Sequence, residues 1–197
     1  MDKRKMRNQK SRSKAPQPQQ RRKQKPKPRV VNITAGAPVT GKETLLALKV
    51  AANATTSSYI KTFTLVDASP ILKKYATIYD SYKIKSVAYR FVTDEASTKS
   101  GNVSLGIDYG KPPSSLSRDS VCKLTPHYTG PIKKNSPWVE VSNRFFNPNL
   151  VRYVSDTDTN TAPFSLCILL SCEPTGAERT LGALEIKYSL EMLGLQP

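Results

Sequence analysis

The pattern of apolar positions changes character near residue 30. Before it, Met1, Met6 and Ala15 stand nearly alone among Lys, Arg, Gln, Ser and Pro, with Pro16, Pro18, Pro26 and Pro28 spaced through the second half. Such a segment cannot bury enough surface to offset the entropy of ordering, and its prolines favour extended backbone. Residues 1–29 are therefore expected to form a disordered arm. Residues 30–41 read as a hinge: the apolar run Val30-Val31-Asn32-Ile33 is followed by Gly36, Pro38 and Gly41. From residue 42 to residue 197 short apolar runs recur between turn signals, which is the pattern of one folded domain.

Within that domain the period is mostly two. Leu45, Leu46, Leu48 and Val50 form an apolar run, Asn53–Ser58 reads as a Ser/Thr loop, and Tyr59–Leu65 alternates as a strand. Ala68–Tyr82 breaks the pattern. It places Ile71, Leu72, Tyr75, Ile78, Tyr79 and Tyr82 at three- and four-residue steps, with Asp67 or Ser69 as N-cap and Pro70 in the first turn, and predicts a helix. Strands resume over Tyr82–Thr93. After the turn at Gly101, Val103, Leu105, Ile107 and Tyr109 share one face until Gly110-Lys111-Pro112-Pro113. Residues 114–136 read as loop, with one short strand at Ser120–Leu124. Further strands are predicted at Trp138–Ser142, Val151–Val154 and Phe164–Ser171. A last one at Leu184–Leu193 puts Leu184, Ile186, Tyr188, Leu190 and Met192 on one face. Eight or nine short strands and one helix call for a β-sandwich or barrel.

Charge sharpens the division. The net charge is +16, and residues 1–29 carry +12 of it, leaving +4 for the remainder. The arm's cations are Lys3, Arg4, Lys5, Arg7, Lys10, Arg12, Lys14, Arg21, Arg22, Lys23, Lys25, Lys27 and Arg29, against Asp2 alone. A tail so charged, on a nearly balanced domain, points to a polyanion partner, and RNA phosphates would be neutralised without reading sequence. A basic run can also serve as a nuclear or nucleolar address. No run of 18 apolar residues suggests a membrane span, and the N-terminus lacks the apolar stretch of a signal peptide.

Catalytic chemistry finds little footing. The only histidine, His127, follows Pro126 among turn signals and reads as a surface or loop residue. GxSxG, GxGxxG and P-loop patterns are absent. Cys122, Cys167 and Cys172 show no CxxC spacing, and the last two fall in or beside an apolar strand, where a thiol acts as a small hydrophobe. Asp156-Thr157-Asp158 could offer carboxylates to Ca²⁺ but lacks further ligands nearby, so alone it reads as a solvated loop.

The stretch YKIKSVAYRFVTDEASTKSGNVSLGIDYGKPP (Tyr82–Pro113) resembles the strand-loop-strand core of coat proteins from small icosahedral plant RNA viruses, of the sobemovirus, luteovirus and tombusvirus kind. Tyr79, Tyr82, Lys83, Ile84, Ser86, Val87, Phe91, Ala96, Ser97, Gly101, Val103, Leu105 and Asp108 carry the resemblance, and the order of arm, hinge and strands agrees in outline. By size, ourmiavirus and barnavirus coat proteins fit as well. A chain ending at Pro197 would be a shell-only coat protein. The resemblance implies an eight-stranded viral jelly roll of two four-stranded sheets. It also implies self-assembly into a shell and packaging of genomic RNA through the arm, in the virion and the host cytoplasm, with no required cofactor. Calcium between subunits, at Asp156 and Asp158, follows from the same analogy.

The rival class is a non-assembling RNA-binding protein, such as a viral silencing suppressor or a ribosomal-type protein, which could carry the same arm. Against it, the domain's strands show no face combining basic and aromatic residues as base-stacking modules do. A secreted lectin-like or hormone-like sandwich conflicts with the missing signal peptide.

Overall fold

Nine strands and three short helices follow one another in a computed structural model that describes residues 36–95, 100–111, 113–155 and 162–196. The arm, the first half of the hinge, and the loop bearing Asp156 and Asp158 lie outside the described residues. Strand β1 (Ala37–Val50), β3 (Tyr79–Thr93) and β9 (Arg179–Leu195) form the heart of one sheet, with β9 in the middle. The short β6 (Val139–Glu140) and β7 (Arg152–Tyr153) pair with opposite ends of the free edge of β3, at Ala88–Tyr89 and Ser81–Tyr82. They are two pieces sharing one strand position. The second sheet runs β2 (Thr56–Thr62), β8 (Ser165–Cys172), β4 (Gly101–Asp108), β5 (His127–Pro131). Every pairing is antiparallel. The expected jelly-roll sandwich is present, its sheets of five and four strands rather than four and four.

Alternation puts the core between the sheets. Leu184, Ile186, Tyr188, Leu190 and Met192 of β9 are all buried, as are Val103, Leu105 and Ile107 of β4 and Leu166, Ile168 and Leu170 of β8. Phe164, at the entry to β8, stacks on Phe63 with ring centres 5.0 Å apart. It also meets Tyr89 of the opposite sheet edge-on at 6.3 Å, an arrangement that suits the ring quadrupoles.

Several sequence expectations give way. The helix expected over Ala68–Tyr82 becomes α1 (Leu65–Ala68) and α2 (Pro70–Ala76). Ser69 caps α2 as expected, its hydroxyl accepting from the Leu72 amide at 3.0 Å. The helix stops early because Tyr79, Ser81 and Tyr82 are drawn into the ladder opposite Leu195, Leu193 and Met192. Ser120–Leu124 is not a strand but lies largely in α3 (Arg118–Cys122), which Ser117 and Ser120 close with a reciprocal capping box. The Ser/Thr loop ends at Thr55, since Thr56, Ser57 and Ser58 pair with Leu169–Ser171 of β8.

β5 falls in a segment read as loop. The hinge is shorter than expected too, because Ala37–Gly41 already pair with Tyr188–Met192. Pro38 is tolerated there because β1 is an edge strand, and Gly41 leaves room for the Tyr188 ring, which a Cβ would meet at 2.4 Å.

Leu105 is fully buried between the sheets. Leu105→Asp would leave a carboxylate without a partner there, at a cost of several kcal/mol. The expected result is insoluble protein, whereas Leu105→Met should shift stability by less than about 1.5 kcal/mol. Soluble expression and thermal melting of the two variants check this.

Candidate interaction surfaces

The outward side of the five-stranded sheet is built by the positions that alternate with its core stripe. On β9 these are Glu185, Lys187, Ser189 and Glu191; on β3, Lys83, Lys85, Ser86, Ala88 and Arg90; on β1, Thr40, Lys42 and Thr44. Cross-strand register arranges them in rows. Thr44, Glu185 and Arg90 lie side by side, and the next row holds Lys42, Lys187, Ala88 and Glu140.

Glu185 is the electrostatic centre of the first row. Arg90 Nε meets its Oε2 at 2.6 Å and Lys42 Nζ at 3.2 Å. Partial burial alone would raise the Glu185 carboxyl, but donation from Arg90 and Lys42 outweighs this and holds it below the usual carboxylate value. The Arg90 guanidinium also lies 4.7 Å from the centre of the Trp138 ring, a cation–π contact. At the sheet's other end Lys85 meets Glu191 at 2.7 Å and Lys83 approaches it at 4.0 Å, so the hydrogen bond from Lys85 lowers that carboxyl too.

In the second row Lys187 has no carboxylate within ion-pair distance among the described residues, and it faces Lys42 directly across the ladder. Ser86 and Ala88 are short, so between Lys187 and the taller side chains around them the surface dips. Two adjoining recesses of about 480 and 500 Å³ result, sharing Ser86 and Lys187.

A different surface is carried by the segment that leads from β6 into β7. Phe145, Leu150, Val151 and Tyr153 are large apolar side chains left exposed within nine residues of chain, Tyr153 at 63%. Phe145 packs against Tyr109, the residue that follows β4, with ring centres 4.7 Å apart. Exposed apolar groups this close together in the chain make the segment a candidate interaction surface.

The residues singled out from sequence fare unequally. The thirteen arm cations, Asp156 and Asp158 lie outside the described residues. Among the described residues, no group of three or more His, Cys, Asp or Glu side chains could hold a metal. Cys167 and Cys172 are buried, and burial with Asp108 nearby pushes the Cys167 thiol up to about 11, an unreactive state. His127 is exposed at the start of β5, its Nδ1 donating to the Leu124 carbonyl at 2.8 Å. Sequence reading missed Lys42, Arg90, Trp138 and Lys187, which become neighbours only through strand register. The available signal was the polar half of the β9 alternation.

The model of the viral coat protein (S domain) family matches residues 10–197. No curated protein sequence matches the chain. Solved structures share its fold at low identity. That of tobacco necrosis virus is 15% identical with a TM-score of 0.71, covering 82% of this chain and 97% of that one. For cocksfoot mottle virus the values are 12%, 0.68, 82% and 96%. For maize chlorotic mottle virus they are 17%, 0.67, 82% and 98%.

The carboxylates on the sheet face set an acid limit. Both Glu185 and Glu191 are held below their ordinary value of 4.5, so the stability they contribute is complete above that pH. It is lost as the pH falls through the lowered folded values. Thermal melting between about pH 7 and about pH 3 should show the midpoint falling below that point. A Glu185→Gln plus Glu191→Gln variant should melt lower at neutral pH and lose less on acidification.

Proposed function

Because the chain belongs to the viral coat protein (S domain) family, a structural part of the virion that builds a shell from many copies of itself, we propose that residues 1–29 package genomic RNA inside that shell. The observation that carries this reading is the placement of +12 of the chain's +16 on those residues. Each nucleotide brings one negative charge, so one arm neutralises on the order of twelve nucleotides, gaining by counterion release whatever the sequence. The folded domain, nearly balanced in charge, is free to pack against its copies. The exposed patch at Phe145, Leu150, Val151 and Tyr153 is the apolar surface suited to such a contact.

Electron microscopy of the purified full chain should show closed shells containing RNA. Removal of residues 1–29 should leave the circular dichroism of the β-domain intact and give particles, empty or smaller, with a low nucleic-acid absorbance ratio. Long RNA packaged at normal load by the truncated protein would overturn the role of the arm.

A second element of this proposal concerns Asp156 and Asp158. Two carboxylates one residue apart repel each other, and packing against a neighbouring subunit would strip away the water that screens them. A Ca²⁺ ion, completed to about six to eight oxygens by the neighbour, offsets that repulsion. Chelator above about pH 7 should then swell the particles or lower their melting temperature. An Asp156→Asn plus Asp158→Asn variant should be indifferent to chelator. Parent particles equally indifferent would leave these residues as ordinary loop aspartates.

A further inference from the structure

Between Arg144 and Arg152 the chain runs through Phe145-Phe146-Asn147-Pro148-Asn149-Leu150-Val151 without a charged side chain, although 23% of the protein's residues are charged. This connection from β6 to β7 is not strand, yet its backbone is pinned turn by turn. The Phe145 amide donates to the Ser142 carbonyl at 3.2 Å, and the Leu150 amide to the Asn147 carbonyl at 3.1 Å. Inside each turn a side chain closes the backbone. The Ser142 hydroxyl accepts from the Arg144 amide at 3.3 Å, and Asn147 Oδ1 from the Asn149 amide at 2.9 Å. Pro148 presets the second turn by fixing its own backbone angle.

The two adjacent phenylalanines part ways in this segment. Phe146 is buried, its ring centre 6.1 Å from that of Phe164, whereas Phe145 is 55% exposed. What holds Phe145 is Tyr109. The Tyr109 hydroxyl accepts from the Ser142 amide at 2.6 Å, which fixes the start of the first turn. Its ring lies 4.7 Å from the Phe145 ring at an interplanar angle of 31°. Tyr109 also meets Phe164 edge-on at 6.5 Å, and Phe164 stacks on Phe63. A chain of aromatic rings therefore runs from the core outward, and Phe145 is its exposed end. A side chain already held in place loses little freedom when a partner covers it, and large aromatic residues are frequent anchors of protein contacts.

We propose that Phe145 is the anchor of a contact between two copies of this chain, and that Tyr109 is its positioning residue. The inference rests on the reading that copies pack through this apolar segment. A second copy is the partner that fits. A stretch without charge offers nothing to phosphates, while aromatic enrichment and depletion of charge mark the centre of a protein contact. The family's shell is also built from many identical chains. Loss of the Tyr109 hydroxyl would leave the Ser142 amide without its acceptor and loosen the first turn. Phe145 would then have to be ordered at the moment of contact, at a cost in affinity.

The full-length protein would be dissociated and returned to assembly conditions with a single-stranded RNA over a range of protein concentrations. Light scattering and electron microscopy would give the threshold for shells, and thermal melting of the dissociated protein would report the fold. Phe145→Ala should raise the threshold by about tenfold or more while the dissociated protein melts as the parent does. Phe145→Tyr, which keeps the ring, should assemble close to the parental threshold. Tyr109→Phe should raise the threshold by a smaller factor. In the Phe145→Ala background it should raise it no further, since both changes act through one ring. A merely structural role for Tyr109 would give the same factor in both backgrounds. Hydrogen exchange of the parent should also slow at the Arg144 and Phe145 amides when shells form.

Shells formed by Phe145→Ala at the parental threshold would overturn the anchor. Equal exchange at those amides in free and assembled protein would overturn it too, leaving Phe145 open to a partner other than this chain. Should Phe145→Ala fail to fold, the exchange of the parent decides alone. Equal factors for Tyr109→Phe in the two backgrounds would overturn the positioning role. Leu150→Ala and Tyr153→Ala separate the anchor from the reading beneath it. If they raise the threshold and Phe145→Ala does not, the segment remains a contact between copies and the anchor falls. If none of the three raises it, the anchor and the contact fall together.

Discussion

Strand β9 is the constraint on which the rest of this domain depends. It pairs with β1 on one side and β3 on the other along nearly its whole length, so the large sheet cannot exist until the last segment of the chain arrives. Its inward side chains fill the core and its outward ones fix the charges of the exposed face. One period-two pattern therefore specifies packing and electrostatics together. A one-residue slip of this strand would exchange Ile186 with Lys187 and lose both at once. Because β9 meets partners about 90 to 155 residues earlier, the fold is rich in non-local pairing, the condition for slow folding.

The electrostatics of the domain follow from that register. Glu185 draws Lys42 from β1 and Arg90 from β3 toward itself, tying three strands with one carboxylate. Arg90 in turn lies over Trp138 just ahead of β6, extending the link to the strand beyond. Exposed ion pairs add little stability singly, but a carboxylate bonded by two cations and only 16% exposed is better placed to matter. Within residues 1–29 Asp2 is the only acidic residue. Cation is thus nearly balanced against carboxylate where the chain folds, and left in excess in residues 1–29.

What could be read in the sequence depended on whether a feature was local. The jelly roll was legible because long alternations such as Leu184–Met192 and Val103–Ile107 survive any tertiary rearrangement. Phe164–Ser171 was legible as a buried strand because it is apolar on both faces. The segments misread were those in which local chemistry and distant pairing disagree. Tyr79–Tyr82 keeps helical spacing but is claimed by β9, and Ala37–Gly41 carries turn residues yet completes an edge strand. Ser120–Leu124 failed in the opposite direction, its apolar residues suggesting a strand while a pair of serines closes a helix. The groove on the sheet face could not be read at all, since Lys42, Ala88, Glu140 and Lys187 share a row only after four strands are in register. The face that seemed to lack any basic and aromatic pairing proves to hold Arg90 over Trp138.

The attachment of the arm to an edge strand has a mechanical consequence. Beyond residue 36 the chain enters β1 at one end of its ladder with β9, and the ladder runs from Ala37 to Val50. A pull on the arm directed along the strand would load these hydrogen bonds together, in shear, and would be shared by the whole ladder. A pull directed away from the sheet would instead peel them one at a time, beginning opposite Met192. The domain would therefore resist a pull well in one direction and yield stepwise in the other, with Val39 the first buried core side chain of the strand that peeling would reach.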